Sequence, residues 1–313
     1  MTLKSNMRRW IDDVSWQVRG AFATEANRRV GFWARSLCQP AEVLARKRWA
    51  KELESELAPA LRVPDADGHM RLPASGIPSV REICDAGRSI AQATLHSSMK
   101  APAGKSFHRN RLAEGENLAA LLRVALDRRM IAMAATYLGV VPVLADVDFF
   151  MSLSSAKPWS KSQLWHCDDD APRQLKVFVY CDDVDEENGP FEMISAADSH
   201  RVRTAIKYRY AGRRYRVSDE LMDEHLPRKN QLSIRGPRES SFVVDTARCF
   251  HKGSRIVEPG RWRMVAVMLY CTPNGAKLPL RLASRPGPFA TLANEHTGDL
   301  ERAVLGRPIA RSR

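Results

Sequence analysis

From Val143 to Thr272 the sequence falls into seven short runs rich in Val, Phe, Tyr, Trp and Leu. They are Val143 to Leu153, Gln163 to Asp168, Gln174 to Cys181, Pro190 to Ser195, Ser240 to Thr246, Cys249 to Arg255 and Arg261 to Thr272. Turn residues bound them, as in Asp185-Glu186-Glu187-Asn188-Gly189 and Pro259-Gly260. Short strands at this spacing argue for an antiparallel sandwich or barrel. The spacing breaks between Ser199 and Ser233, where a basic segment and a short helix from Ser218 to His225 intervene.

The chain before the strands has a different texture. Trp10, Val14, Val18 and Phe22 recur every fourth residue and form an apolar helical stripe. A second helix is expected over Ala41 to Leu57, after Pro40. Arg62 to Pro78, rich in proline, reads as loop, and Ser79 caps a third helix through Ala93. Lys100 to Ser106 is another loop, and Asn117 to Leu138 one helix ended by Gly139. The tail reads as loop plus a helix from Asn294 to Leu305. The expected organisation is a helical region over 1–105, a β core with its supporting helix over 106–285, and a tail over 286–313; within the core, 200–232 is a basic insertion.

Composition narrows the class. With 313 residues and 44% hydrophobic content, the chain can bury a large core. The start is charged and lacks a secretory apolar segment, and the apolar tract from Met130 to Val147 is broken by Gly139 and Pro142. A soluble cytoplasmic protein without a transmembrane segment is expected. The amphipathic start leaves room for peripheral membrane contact, although packing on the β core is favoured. The six cysteines form no CxxC pair, which argues for reduced thiols over a structural zinc site. A net charge of +13 favours acidic partners: nucleic acid, anionic lipid, or phosphorylated and carboxylated metabolites.

The candidate chemistry lies in the strands. His166 and Asp168 stand two apart in Leu164-Trp165-His166-Cys167-Asp168, so period-two alternation aims both at one face. Alone, His-X-Asp is a weak signal. His251, 83 residues beyond Asp168, supplies a third donor on another strand. Two imidazoles and one carboxylate on one face of an octahedron leave three positions open, the non-haem iron(II) arrangement. Arg261 and Arg263 open the following strand, and an inward arginine there can hold a carboxylate through two parallel hydrogen bonds.

These residues carry a family resemblance over about 143–272. Gln163 to Asp168, Leu175 to Tyr180 with Asp182-Asp183-Val184, Asn188-Gly189-Pro190-Phe191, Ser199-His200, and His251-Lys252-Gly253-Ser254 followed by the arginine strand are similar, in order and spacing, to the phytanoyl-CoA dioxygenase-like group of iron(II)/2-oxoglutarate oxygenases. The resemblance implies a double-stranded β-helix, or jelly roll, with the helical region packed outside. It implies Fe(II) held by His166, Asp168 and His251, 2-oxoglutarate as cosubstrate and dioxygen as oxidant. The cosubstrate arginine is Arg263 or Arg261; the register counted back from Tyr270 favours Arg263. Related halogenating enzymes carry a small residue in place of the ligand carboxylate, so the Asp168 of this chain points to hydroxylation. Lys176, on the next strand, can reach the cosubstrate or the substrate; the plainer reading is a lysine at a sheet edge.

Seven cations and three tyrosines lie between His200 and Arg216, with no acid. A solvated loop, a lid over an anionic substrate and a nucleic-acid surface all suit this composition. The sequence thus favours a dioxygenase hydroxylating a small, anionic metabolite or lipid or glycan intermediate. The alternatives are an oxygenase acting on nucleic acid or protein, and a non-catalytic jelly-roll binding module.

Overall fold

The computed structural model describes residues 20, 23–37, 39–98, 107–111, 115–154, 158–253, 255–274 and 287–309. The stripe Trp10 to Phe22 and the loop Lys100 to Ser106 lie outside these residues.

Among the described residues, nine strands form two sheets: β1 (His69–Arg71), β2 (Phe107–Arg111), β3 (Val143–Leu153), β4 (Gln174–Tyr180), β5 (Phe191–Met193), β6 (Leu232–Ile234), β7 (Ser241–Val244), β8 (His251–Lys252) and β9 (Trp262–Cys271). The larger sheet runs β1-β7-β4-β9-β3-β2 and the smaller β6-β5-β8, with every named pair antiparallel. His166 joins the smaller sheet through a bridge to His251. From β4 to β9 the chain passes back and forth between the two sheets: β5 and β6 lie in the smaller, β7 in the larger, β8 in the smaller and β9 in the larger, the winding of a jelly roll.

Alternation sorts the side chains. On β4, Leu175, Val177 and Val179 face the helices, while Phe178 and Tyr180 face the smaller sheet. On β9, Met264, Ala266 and Met268 face the helices, and Val265 and Val267 the smaller sheet. Both faces are covered, so these central strands read as continuous apolar runs.

Eight helices are named among the described residues: α1 (Glu25–Leu37), α2 (Pro40–Glu56), α3 (Val80–Ser98), α4 (Glu116–Ala125), α5 (Arg128–Leu138), α6 (Ala196–Ala205), α7 (Asp219–His225) and α8 (Asp299–Val304). The first layer of packing is one contiguous core shared by α2 to α5, α8 and the larger sheet. Truncating a fully buried member such as Ile131 or Leu121 to alanine would cost roughly 2–5 kcal/mol. Where α3 crosses the sheet, a Cβ on Gly87 would come within 2.8 Å of the Cys181 Cβ, so only glycine allows this approach. Arg46 of α2, buried, donates to the carbonyls of Val141, Pro142, Ala303 and Arg307, tying the tail to the core.

Several expectations shift. The single helix over Asn117 to Leu138 is two, because the Asp127 side chain caps the second by accepting from the Arg129 amide. Gly139 ends it in the left-handed region at φ 70°, as its sequence position suggests. The expected loop Arg62 to Pro78 contains β1, whose three residues are too few for alternation to show. β2 also escapes sequence reading, because Phe107–Arg111 is almost wholly polar. The tail helix is shorter than Asn294 to Leu305, since the Asn294 side chain accepts from the His296 amide and holds a turn.

The segment from Gln163 to Asp168 is no regular strand: a 3₁₀ turn over Lys161–Gln163 leads into isolated bridges at Trp165 and His166. The basic insertion is no solvated loop either. It contributes α6 and α7, and its Val202, Tyr208, Tyr210 and Val217 pack with Trp165, Cys167, Ile194 and Phe250 on the outer side of the smaller sheet.

Candidate metal centre

His166, Asp168 and His251 converge at one end of the jelly-roll interior, with one ligand atom from each within 4.8 Å of the others. His166 Nε2 lies 3.6 Å from Asp168 Oδ1, and His251 Nε2 3.8 Å from Asp168 Oδ2. The backbone explains the convergence. His166 and His251 exchange both amide–carbonyl hydrogen bonds, at 3.0 and 2.9 Å, so their side chains project side by side with ring centroids 4.2 Å apart. The Asp168 amide donates to the Thr246 carbonyl at 2.7 Å, which pins the third residue to the turn after β7.

The second layer of hydrogen bonds fixes each ring. His166 Nδ1 lies 2.9 Å from the Leu164 carbonyl, and His251 Nδ1 3.1 Å from that of Cys249. A carbonyl only accepts, so Nδ1–H donates and each Nε2 lone pair faces the centre. Phe191 stacks on His251 at 5.4 Å and 16°. Burial lowers the pKa of both imidazoles and keeps them neutral. For Asp168, burial opposes the charge but is outweighed chiefly by the Lys176 ammonium, so the carboxyl stays well below its usual range. Two neutral imidazoles and an ionised carboxylate form a donor set that suits a divalent transition metal.

A cavity of ≈ 190 Å³ extends from these ligands into the jelly roll. Phe150, Phe178, Phe191 and Phe242 make its wall, with Val265 and Val267. Phe178 and Phe242 stack at 4.9 Å and 9°. Arg263 lines the cavity, 6% exposed, and donates to the Gly189 carbonyl. Tyr180, also on the wall, accepts from the Phe191 amide and donates to the Ile234 carbonyl.

The structure separates the two arginines. Arg261 lies before β9, is half exposed and pairs with Asp185 and Glu187 outside the cavity. Equal parity with Arg263 means nothing there, because the strand begins only at Trp262. Lys176 is not at a sheet edge: β4 lies between β7 and β9, and Lys176 Nζ reaches Asp168 Oδ2 at 2.6 Å. Residues not singled out from sequence also line the site. Tyr180 shares the parity of Lys176 on β4, a signal that could have found it; Lys252, ion-paired with Asp219 at 2.9 Å and Glu192 at 3.3 Å, gave none.

No protein-family model matches the chain, and no curated protein matches it. Similar solved structures include HygX from Streptomyces hygroscopicus with nickel and 2-oxoglutarate bound, at 15% identity and TM-score 0.41, covering 66% of this chain and 84% of that one. The epimerase SnoN, in complex with Fe3+, alpha ketoglutarate and nogalamycin RO, is 17% identical with TM-score 0.47, covering 79% and 92%. EctD from S. alaskensis, with 2-oxoglutarate and 5-hydroxyectoine, is 18% identical with TM-score 0.46, covering 67% and 73%. At such identities the side chains of this molecule, rather than the likeness, bear on its chemistry.

Proposed function

We propose that this chain is an Fe(II)- and 2-oxoglutarate-dependent dioxygenase of the phytanoyl-CoA dioxygenase-like kind, hydroxylating a small anionic molecule. One observation carries the reading: the His166, Asp168 and His251 donors and the buried Arg263 line the same cavity. The cavity is about six times the ~30 Å³ share of a liquid water molecule, room for a short dicarboxylate. His166, Asp168 and His251 would hold the metal. Arg263 would bind the far carboxylate of 2-oxoglutarate, and the phenylalanine wall would bury its methylene carbons.

Bound there, iron(II) with 2-oxoglutarate and dioxygen supplies an oxidant able to attack a C–H bond, with succinate and carbon dioxide released. The chain's own part is positional. The carbonyls of Leu164 and Cys249 hold the imidazoles in the ligating tautomer, and Lys176 keeps Asp168 ionised. The aromatic wall excludes water from around the cosubstrate. The carboxylate of Asp168 occupies the place that a small residue leaves open in halogenating enzymes, which favours hydroxylation.

The test is anaerobic binding followed by turnover. Purified protein should bind one Fe(II) and then 2-oxoglutarate, and on exposure to oxygen release succinate in the presence of a metabolite extract, with one extract component gaining an oxygen atom. Failure to bind either iron or 2-oxoglutarate would sink the reading.

A further inference from the structure

Part of the basic insertion approaches His166. Trp165 and Val217 exchange amide–carbonyl hydrogen bonds at 3.1 and 2.9 Å, an antiparallel pairing. Arg216 directly precedes Val217 and His166 directly follows Trp165, so the two residues flank the same end of this bridge. His166 in turn bridges His251.

The Arg216 guanidinium lies 4.1 Å over the Tyr215 ring, and that ring meets His166 edge-on at 6.1 Å. Its Nη1 is buried and meets no hydrogen-bond partner among the described residues. A buried guanidinium N–H left unmade is costly, and a ligand that accepts from it recovers the loss. The insertion's other cations are placed differently. Arg203 donates to the Arg248 carbonyl, Arg201 pairs with Asp198, and Lys207, Arg213 and Arg214 are exposed.

We propose that Arg216 is the substrate-recognition residue of this centre, binding a carboxylate or phosphate group of a small molecule beside His166. This rests on the dioxygenase reading. The cosubstrate is not its partner, because Arg216 does not line the cavity that contains Arg263. The planar fork of arginine matches either oxyanion. The exposed cations of the insertion raise the local concentration of such anions.

The test uses the full chain loaded with nickel(II) and 2-oxoglutarate, titrated calorimetrically with inorganic phosphate and, separately, acetate. At least one should bind wild type saturably. Arg216→Gln should weaken it tenfold or more and Arg216→Lys recover part, while the affinity for 2-oxoglutarate stays within twofold in both. Should Arg216→Gln fail to fold, Arg216→Lys carries the comparison, with a several-fold loss expected from the missing fork. The proposal is overturned if neither anion binds wild type, if the variants bind them equally well, or if 2-oxoglutarate affinity falls in parallel. A wild type that binds no 2-oxoglutarate defeats the dioxygenase reading instead, and the same titrations on metal-free protein still report on Arg216.

Discussion

Lys176 Nζ lies 2.6 Å from Oδ2 of Asp168, so the carboxylate that faces the two histidines is also held by a buried ammonium. Both groups are largely withdrawn from water, with side-chain exposures of 20% and 15%. Burial favours the neutral lysine, yet Asp168 and Asp170 outweigh it and raise the Lys176 pKa. Asp168 is depressed in the folded state, so its contribution is lost as pH falls through the folded value. Lys176 is raised, so its contribution is lost as pH rises through the folded value. The pair stabilises across the range between. Lys176→Met should destabilise metal-free protein by about 3 kcal/mol at pH 7, by leaving a buried carboxylate unpaired. Urea denaturation measures this, and the loss should shrink toward pH 3, where Asp168 protonates readily once its partner is gone.

Arg263 and Arg261 should separate cleanly. Arg263→Lys keeps the charge but loses the fork, and should weaken 2-oxoglutarate binding by roughly tenfold or more. Arg261→Ala removes exposed pairs to Asp185 and Glu187, and should leave that affinity within twofold. Calorimetric titration of metal-loaded protein decides. An equal loss in both variants would remove Arg263 from its proposed role.

Arg28 of α1 braces the loop after Asp168 from outside. Its Nη2 lies 2.8 Å from the Ala171 carbonyl and 3.4 Å from that of Asp168, and its guanidinium covers the Tyr210 ring at 3.7 Å. Arg28→Ala should lower metal affinity by about tenfold, the effect of loosening a ligand's support. Competition against a chelator with a known constant would show it, and unchanged affinity would mean the loop holds Asp168 unaided.

Asp245, in the turn after β7, accepts from Tyr137 Oη at 2.9 Å and is fully buried. Burial pushes its carboxyl up to about 6. Here the folded pKa exceeds the unfolded one, so the folded state binds more protons between about 4 and 6. This group's contribution is greatest below about pH 4 and is lost as pH rises through 6. Asp245→Asn removes that titration. Its deficit relative to wild type should therefore be smaller at pH 7.5 than at pH 4.5, by about 2 kcal/mol. Equal deficits at the two pH values would show that Asp245 stays ionised throughout.

The β core was legible because alternation and turn residues are local properties. β4 and β9 lie within a residue or two of their sequence expectation. β1 and β2 were not, since a three-residue edge strand and a polar strand form only because β7 and β3 offer them hydrogen bonds. The donor set His166, Asp168 and His251 was also readable as a candidate, although the strand expected to aim the first two is an irregular bridge.

By itself, the sequence determined which segments alternate, which residues could ligate a metal, and that an arginine near the start of the last strand could meet a carboxylate. Tertiary structure decided that Arg263 enters the cavity and Arg261 does not, that Lys176 meets Asp168, and that the Trp165–Val217 bridge brings Arg216 near His166. Periodicity assigns a face only within a continuous strand. Where a strand begins, and which residue lies across from which, depends on pairings between segments far apart in the chain, whose register is set by the hydrogen bonds they exchange.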